Sequence, residues 1–160
     1  EIMPSLVGSE MCIRDRYQIQ LFEAALDKDG IAYKEYAIAD TNEVQSVTTA
    51  AAGECDVLYI PTDNTLASVT ETVYNVVAPA KIPVIAGEEG ICNGCGVATL
   101  SISYYDLGYA TGEMAYEILA EGADITTMDV RYAPNVTKKY NAKICEELGI
   151  TVPDDYVAIQ

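Results

Sequence analysis

The chain has 160 residues, with 25 Asp and Glu, 9 Lys and Arg and no His, so its formal net charge is −16. Such acidity repels phosphate backbones and anionic lipids, which argues against a nucleic-acid partner and against a membrane-surface role. The absence of His excludes a His-based catalytic triad or zinc site within this chain. The length predicts a single hydrophobic core.

The first sixteen residues, EIMPSLVGSEMCIRDR, show neither helical nor strand periodicity. They resemble the translation of a transposase-type sequencing adapter, with residues 2–5 over its variable index and residues 6–16 over its constant arm. We therefore interpret residues 1–16 as a non-native segment and residues 17–160 as the natural sequence, cut from a longer product. On this interpretation no strand precedes the first helix, and the central strand of the sheet is expected to be missing.

From residue 17 onward, helical and strand patterns alternate along the chain. Predicted strands cover residues 31–39, 55–60, 83–86 and 97–103, and predicted helices cover residues 17–29, 43–52, 66–78, 106–121 and 137–148. Residues 87–96 are expected to form a loop, and residues 128–132 begin a return segment. Alternating elements joined by short turns predict an α/β fold, a mostly parallel sheet with helices on both faces.

Three local signals set the predicted helix boundaries. Asn42 and Gln45 match a capping box at the start of the second helix. Pro79 is expected to end the third helix, because proline lacks the amide that would continue it. Asp106 is expected to cap the fourth helix.

Ligands of open α/β sheets bind beyond the carboxyl ends of the strands, so the loops there are the candidate sites. Thr62, Asp63 and Asn64 follow one strand, where side chains and helix amides can hold a ligand carboxylate. The alternative for these residues is a simple helix cap. Glu88 and Glu89 follow the next strand and can receive an ammonium group, or they form a solvated acidic turn.

A third candidate site follows the last strong strand. Tyr104 and Tyr105 offer aromatic faces beside the carboxylate of Asp106, and such rings stack on apolar or aromatic ligands. The alternative is that Asp106 only caps its helix. Neither the GxGxxG pattern nor the Walker lysine pattern is present, so nucleotide binding is not supported.

Cys92 and Cys95 have CxxC spacing, but in a predicted loop rather than at a helix start. A local disulfide, a metal ion and unpaired thiols all remain open for this pair. A zinc ribbon would need a second CxxC pair, which is absent, and neither a metal nor a cofactor is predicted. Cys55 and Cys145 are expected to be ordinary packing residues.

Three strings carry a family resemblance. CDVLYIPTDNTLAS, IPVIAGEEG and VATLSISYYDLGYATGEMAYEIL, in this order and spacing, resemble the C-terminal lobe of ABC-transporter substrate-binding proteins of the tryptophan/tyrosine-type group. The resemblance covers residues 17–153. It implies one lobe of a type I periplasmic binding protein, incomplete at its N-terminus, with a hinge crossing within residues 128–134 and a ligand cleft between two lobes.

The resemblance also implies a function. Such proteins are not enzymes: they are extracytoplasmic, commonly lipid-anchored, and deliver a small ligand to an ABC permease and its ATPase. The ligand implied here is amino-acid-like and aromatic, and the only membrane contact would be through a lipid anchor that residues 17–160 lack. The cleft-facing positions that the family pattern implies are Thr62, Asp63, Asn64, Glu88, Glu89, Tyr104, Tyr105 and Asp106.

Two other interpretations of the same sequence remain open. The first alternative keeps the fold and makes the chain the ligand-sensing effector domain of a regulator, which reads a sugar or another metabolite. An α/β enzyme acting on a sugar phosphate or a nucleotide is the third interpretation.

Overall fold

The computed structural model describes residues 3–9 and 13–159. Its strands are β1 Pro4–Ser9, β2 Lys34–Ile38, β3 Val57–Ile60, β4 Val84–Ala86, β5 Ala98–Ile102, β6 Val136–Tyr140 and β7 Val157–Ala158. Its α-helices are α1 Ile13–Asp29, α2 Val44–Glu54, α3 Asn64–Ala67, α4 Thr70–Ala80, α5 Glu89–Cys95, α6 Tyr104–Leu119 and α7 Ala142–Leu148. A short 3-10 helix covers Ile125–Thr127.

The seven strands form one sheet in the order β2-β1-β3-β4-β5-β6-β7. The pairs β1 with β2, β1 with β3, β3 with β4, β4 with β5 and β6 with β7 are all parallel. Because parallel neighbours need crossover connections, helices separate most of these strands along the chain. The prediction of an α/β fold with a mostly parallel sheet is confirmed.

The expectation that the central strand is missing is wrong. Strand β1 lies between β2 and β3, with Ser5 beside Lys34 and Pro4 beside Val57 in register. A parallel ladder is made by main-chain amides and carbonyls, so a segment without side-chain alternation can still complete it. Helix α1 likewise begins at Ile13 rather than at residue 17. The adapter origin of residues 1–16 stays a prediction, and residues 1, 2 and 10–12 lie outside the described residues.

Two compact units divide the chain: a larger one of residues 1–100 and 138–160, and a smaller one of residues 101–137. The larger unit has its own core. Leu58 and Ile60 point inward from β3, Val84 from β4 and Val73 from α4, and each is at most 1% exposed. Each such side chain stabilises the fold by about 1.5–3 kcal/mol relative to its exposed state. This core fixes the strands whose ends carry the candidate loops.

The smaller unit has no comparable core. It contains α6 and the 3-10 helix, and none of the 16 residues of α6, all of which are described, is buried. Its clearest internal contact is an ion pair in which the Arg131 guanidinium donates to both carboxylate oxygens of Glu117, at 2.7 Å each. An exposed ion pair of this kind adds little stability, because water and salt screen the attraction.

Several predicted boundaries are wrong for local reasons. The expected capping box is absent: Glu43 takes the N-cap position of α2 with no side-chain cap bond, and the amide of Asn42 donates to Asp40 instead. Pro79 lies inside the last turn of α4, where the helix continues to Ala80. Lys81 is the C-cap that ends α4, and it adopts the left-handed conformation with φ 57°.

The other two differences concern elements of the second half. Residues 87–96 are not a loop, since helix α5 occupies most of that stretch. The predicted helix 137–148 is half strand: β6 comes first, and α7 starts at Ala142 with the side chain of Asn141 accepting from the amide of Ile144 at 3.2 Å. Val136, Thr137 and Tyr140 are residues that favour a strand. The helical spacing of the apolar residues in α7 led to a helix prediction that extended too far toward the N-terminus.

Candidate functional site

The loops after β3 and β4 are tied together, because these strands are neighbours in the sheet. The hydroxyl of Thr62 donates to the carbonyl of Gly87 at 3.1 Å. Gln18 of α1 holds the same threonine from the other side: its amide group donates to the Thr62 hydroxyl at 3.0 Å and accepts from the Thr62 backbone amide at 2.8 Å. Thr62 is therefore the junction of three segments.

Gly87 makes this close approach of the two loops possible. A Cβ at this position would lie 2.7 Å from the carbonyl carbon of Pro61 and 2.7 Å from the amide nitrogen of Thr62. The amide of Gly87 also donates to the carbonyl of Ile60 at 2.7 Å. Any side chain here would push the two loops apart, since the atoms that it meets belong to the backbone.

Asp63 is a helix cap. Its side chain is 1% exposed, and one carboxylate oxygen accepts from the amides of Thr65 at 2.6 Å and Leu66 at 3.0 Å, at the start of α3. These bonds occupy amides that could otherwise have met a ligand carboxylate. Asn64, the next residue, is exposed. Of this predicted trio, Asn64 has the most accessible side chain.

Glu88 and Glu89 are both engaged. The carboxylate of Glu88 caps α5, accepting from the amide of Gly90 at 2.7 Å and from the amide of Ile91. The carboxylate of Glu89 accepts from the ammonium of Lys139 on β6 at 2.7 Å. Neither role was predicted: Glu88 caps a helix where a loop was expected, and the partner of Glu89 lies 50 residues away in sequence.

In the smaller unit, the predicted residues form the first turn of α6. Tyr104 and Tyr105 are 62% and 80% exposed. The helix cap is Ser103, whose hydroxyl oxygen accepts from the amide of Asp106 at 3.1 Å, so the prediction that Asp106 caps α6 is wrong. Asp106 instead places its carboxylate in the first turn, where the helix dipole favours negative charge. The amide group of Asn135 lies 3.5 Å from this carboxylate.

The CxxC pair lies in α5 and not in a loop. Both thiols are free and buried, and burial raises the pKa of Cys92 and of Cys95 to about 12. A thiol with such a pKa is not a nucleophile at neutral pH. Cys55 and Cys145 are buried as predicted. Within residues 3–9 and 13–159, no cluster of three or more possible ligands could hold a metal ion.

Gln18, Ser103 and Lys139 position the candidate loops, and none of the three was predicted from the sequence. Gln18 and Lys139 act across 44 and 50 residues of sequence, which no local pattern reveals. Ser103 carried a usable signal, because serine directly before a helix is a preferred N-cap. A groove of about 440 Å³ lies further along α6, and none of the eight predicted residues lines it.

The structure is a mostly parallel α/β sheet with joined loops at the carboxyl ends of the neighbouring strands β3 and β4, and in open α/β sheets this edge is where ligands bind. The family model described as ABC transporter substrate binding protein matches residues 9–159. The chain therefore belongs to the ABC transporter substrate-binding protein family. No described helix is both long enough and apolar enough to span a bilayer.

Three similar proteins refine this assignment. A tyrosine-binding protein of Clostridioides difficile (strain R20291) is 34% identical over 122 residues, which are 73% of this chain and 35% of that protein. A ligand-free, open substrate-binding protein with adhesive properties from Clostridium difficile has a TM-score of 0.77 and 31% identity, over 99% of this chain and 55% of its own. An ABC domain from Streptococcus pneumonia in complex with L-Trp has a TM-score of 0.88 and 28% identity, over 99% of this chain and 56% of its own.

Proposed function

We propose that this chain is part of the substrate-binding component of an ABC importer and that its ligand is an aromatic amino acid. The observation that carries the proposal is the pair of similarities, to a protein named for tyrosine binding and to a domain solved with L-Trp. The chain spans about half or less of the length of these relatives. Transport therefore belongs to a longer protein, and the ligand cleft is proposed for that protein.

In the larger unit, Asn64 is the proposed contact for the ligand carboxylate. Its exposed side-chain amide follows β3, at the edge of the sheet where such ligands bind. Thr62 holds the loop in place, since its hydroxyl and backbone amide already donate to Gly87 and Gln18. Asp63 and Glu88 then act as positioning residues, because their carboxylates hold the starts of α3 and α5. Glu89 has a similar role through Lys139.

In the smaller unit, considered by itself, Asp106 is proposed to pair with an ammonium group, and Tyr104 and Tyr105 are proposed to contact an aromatic side chain. Both rings are exposed, and stacking of two aromatic rings adds about 0.5–1.5 kcal/mol beyond the area that it buries. Enclosing the ligand would exclude water and strengthen the carboxylate–ammonium attraction. A permease could then distinguish the liganded from the empty state.

The setting of this function is also a proposal. A permease and its ATPase are the expected partners, and the expected location is extracytoplasmic, with a lipid anchor outside these 160 residues. The family is one of binding proteins, and we propose no enzymatic activity for the chain. The family match favours transport over the regulator alternative.

The test is a thermal-shift titration of the gene product read from the full reading frame, with L-tryptophan and L-tyrosine and with L-glutamate as the control ligand. The proposal predicts a rise in Tm with the aromatic amino acids only, because a ligand that binds the folded state stabilises it. Tyr105→Ala and Asp106→Asn should remove this shift. Tyr132→Ala, at an equally exposed tyrosine (82%), and Asp129→Asn should leave it unchanged. No shift with any amino acid would refute the proposal.

A further inference from the structure

One chain of hydrogen bonds joins helix α1 to both candidate loops of the larger unit, and its direction is fixed. The backbone amide of Thr62 donates to the side-chain oxygen of Gln18 at 2.8 Å. Because a backbone amide can only donate, this bond sets which way the Gln18 amide group faces. The nitrogen of that group donates to the Thr62 hydroxyl at 3.0 Å, and the single hydroxyl proton is left for the carbonyl of Gly87 at 3.1 Å. We call Gln18, Thr62 and Gly87, joined in this order, the Gln18 relay.

The Gln18 relay is supported at both ends. Phe22 lies one turn further along α1, and its ring stacks on that of Tyr59 in β3, with centroids 4.2 Å apart and planes 7° apart. This contact holds α1 against the strand that leads into the first loop. At the other end, the amide of Gly87 donates to the carbonyl of Ile60 at 2.7 Å. The groups that the relay joins are therefore fixed before any ligand arrives.

The Gln18 relay positions the groups that the proposed function uses. Asn64 lies two residues after Thr62, and Glu88, the cap of α5, directly follows Gly87. We infer that Gln18 is a positioning residue of the ligand site, which sets the spacing of residues 62–64 and 87–90 through the Thr62 hydroxyl without touching the ligand. This inference rests on the aromatic amino-acid binding proposed above. A site whose loops are already ordered binds more tightly, because less conformational entropy is lost on binding.

The fixed direction of the relay gives a specific consequence for substitutions. Gln18→Glu keeps the shape of the side chain and an acceptor for the Thr62 amide, but a carboxylate has no proton to donate. The Thr62 hydroxyl then donates to this charged acceptor, and its bond to Gly87 is lost. Thr62→Val breaks the same chain without adding a charge. The two substitutions should therefore have similar effects, and combining them should add little, because both act through one bond.

The first test needs no ligand and measures hydrogen–deuterium exchange of the product of the full reading frame. Gln18→Glu and Thr62→Val should each speed exchange at residues 87–91 on the order of tenfold, because a segment that has lost a tie opens more often. Thr62→Ser keeps the hydroxyl and should leave this exchange unchanged. The matched control is Gln20→Glu, the same change of charge at an exposed position of α1, which should also leave it unchanged. Unchanged exchange in both Gln18→Glu and Thr62→Val would overturn the inference.

The second test measures the affinity of the same proteins for L-tryptophan and L-tyrosine by calorimetry, beside their urea midpoints. Gln18→Glu and Thr62→Val should bind on the order of tenfold more weakly, since their loops must be ordered on binding. Thr62→Ser and Gln20→Glu should bind like the parent. An equal loss in Gln20→Glu would assign the effect to charge alone, and losses that follow the urea midpoints of all variants would assign it to stability; either would overturn the inference. A parent protein that binds neither amino acid would refute the proposed function, and the exchange measurement would still decide the role of Gln18.

Discussion

The larger and the smaller unit both show regular apolar spacing in their sequences, but only the larger unit buries its apolar side chains in a core of its own. In the larger unit, alternation along β3 buries Leu58 and Ile60 completely or nearly so. In the smaller unit, α6 has an equally regular apolar spacing and yet no buried residue. Periodicity predicts which face of an element is apolar, but not whether the covering surface is in the same chain. The larger unit is thus stabilised by its own core.

The sharpest test of this difference is a pair of identical substitutions. Leu58→Ala should lower the free energy of unfolding by about 2–5 kcal/mol, because it leaves a cavity in the core. Leu119→Ala, at a residue 84% exposed on α6, should change it by less than ~0.5 kcal/mol. Urea denaturation of the 160-residue chain measures both values. Similar losses for both variants would show that α6 is stabilised as well as the sheet.

The joined loops of the larger unit should be almost as sensitive. Gly87→Ala places a methyl group 2.7 Å from the backbone of Pro61 and Thr62, and such overpacking costs about 1–3 kcal/mol. The control is Gly53→Ala in α2, because no described atom lies within 4 Å of a Cβ at that position. Gly122→Ala is unsuitable as a control, since its positive φ of 72° would strain alanine. Urea denaturation should show a loss for Gly87→Ala only; an unchanged midpoint would mean that the loops can separate freely.

Asp63 allows the cap and the charge to be separated. Asp63→Ala removes the acceptor for two amides of α3 and should cost about 1 kcal/mol. Asp63→Asn keeps a good N-cap without the charge and should recover most of that loss. Thermal denaturation of both variants makes the comparison. If Asp63→Asn lowers Tm as much as Asp63→Ala does, the stability depends on the negative charge of Asp63 and not only on its capping hydrogen bonds.

The smallest expected effect is pH-dependent and comes from two acids that face each other. A hydrogen bond to the side chain of Glu35, followed by burial and the Glu35 charge, raises the pKa of Glu23 from 4.5 to about 7. Between these values the folded state keeps a proton that the unfolded chain has released. The free energy of unfolding therefore falls as pH rises from 4.5 to about 7 and stays reduced above.

Glu23→Gln removes this charge repulsion, so its stabilising effect should be larger at pH 8 than at pH 5. Urea midpoints of the parent chain and the variant at the two pH values measure the difference. An equal effect at both pH values would contradict the raised pKa of Glu23.

The sequence predicted most of the sheet, because short β-branched runs such as those of β3 and β4 have few alternatives between turns. It failed at β1, where main-chain pairing with β2 and β3 supplies the order that the side-chain pattern lacks. It also failed at α5, because glycines and two cysteines conceal a helix that the Glu88 carboxylate begins. Roles that depend on contacts distant in sequence, such as Gln18 on Thr62, were out of reach.

Hydrogen–deuterium exchange of the full gene product, with and without L-tryptophan, tests the central claim most directly. The account predicts slower exchange on ligand addition at residues 62–64, at residues 88–90 and in the first turn of α6, residues 104–107. Helix α7, which carries none of the proposed contacts, should exchange at the same rate in both samples. Unchanged exchange at all three segments under saturating L-tryptophan would contradict the account.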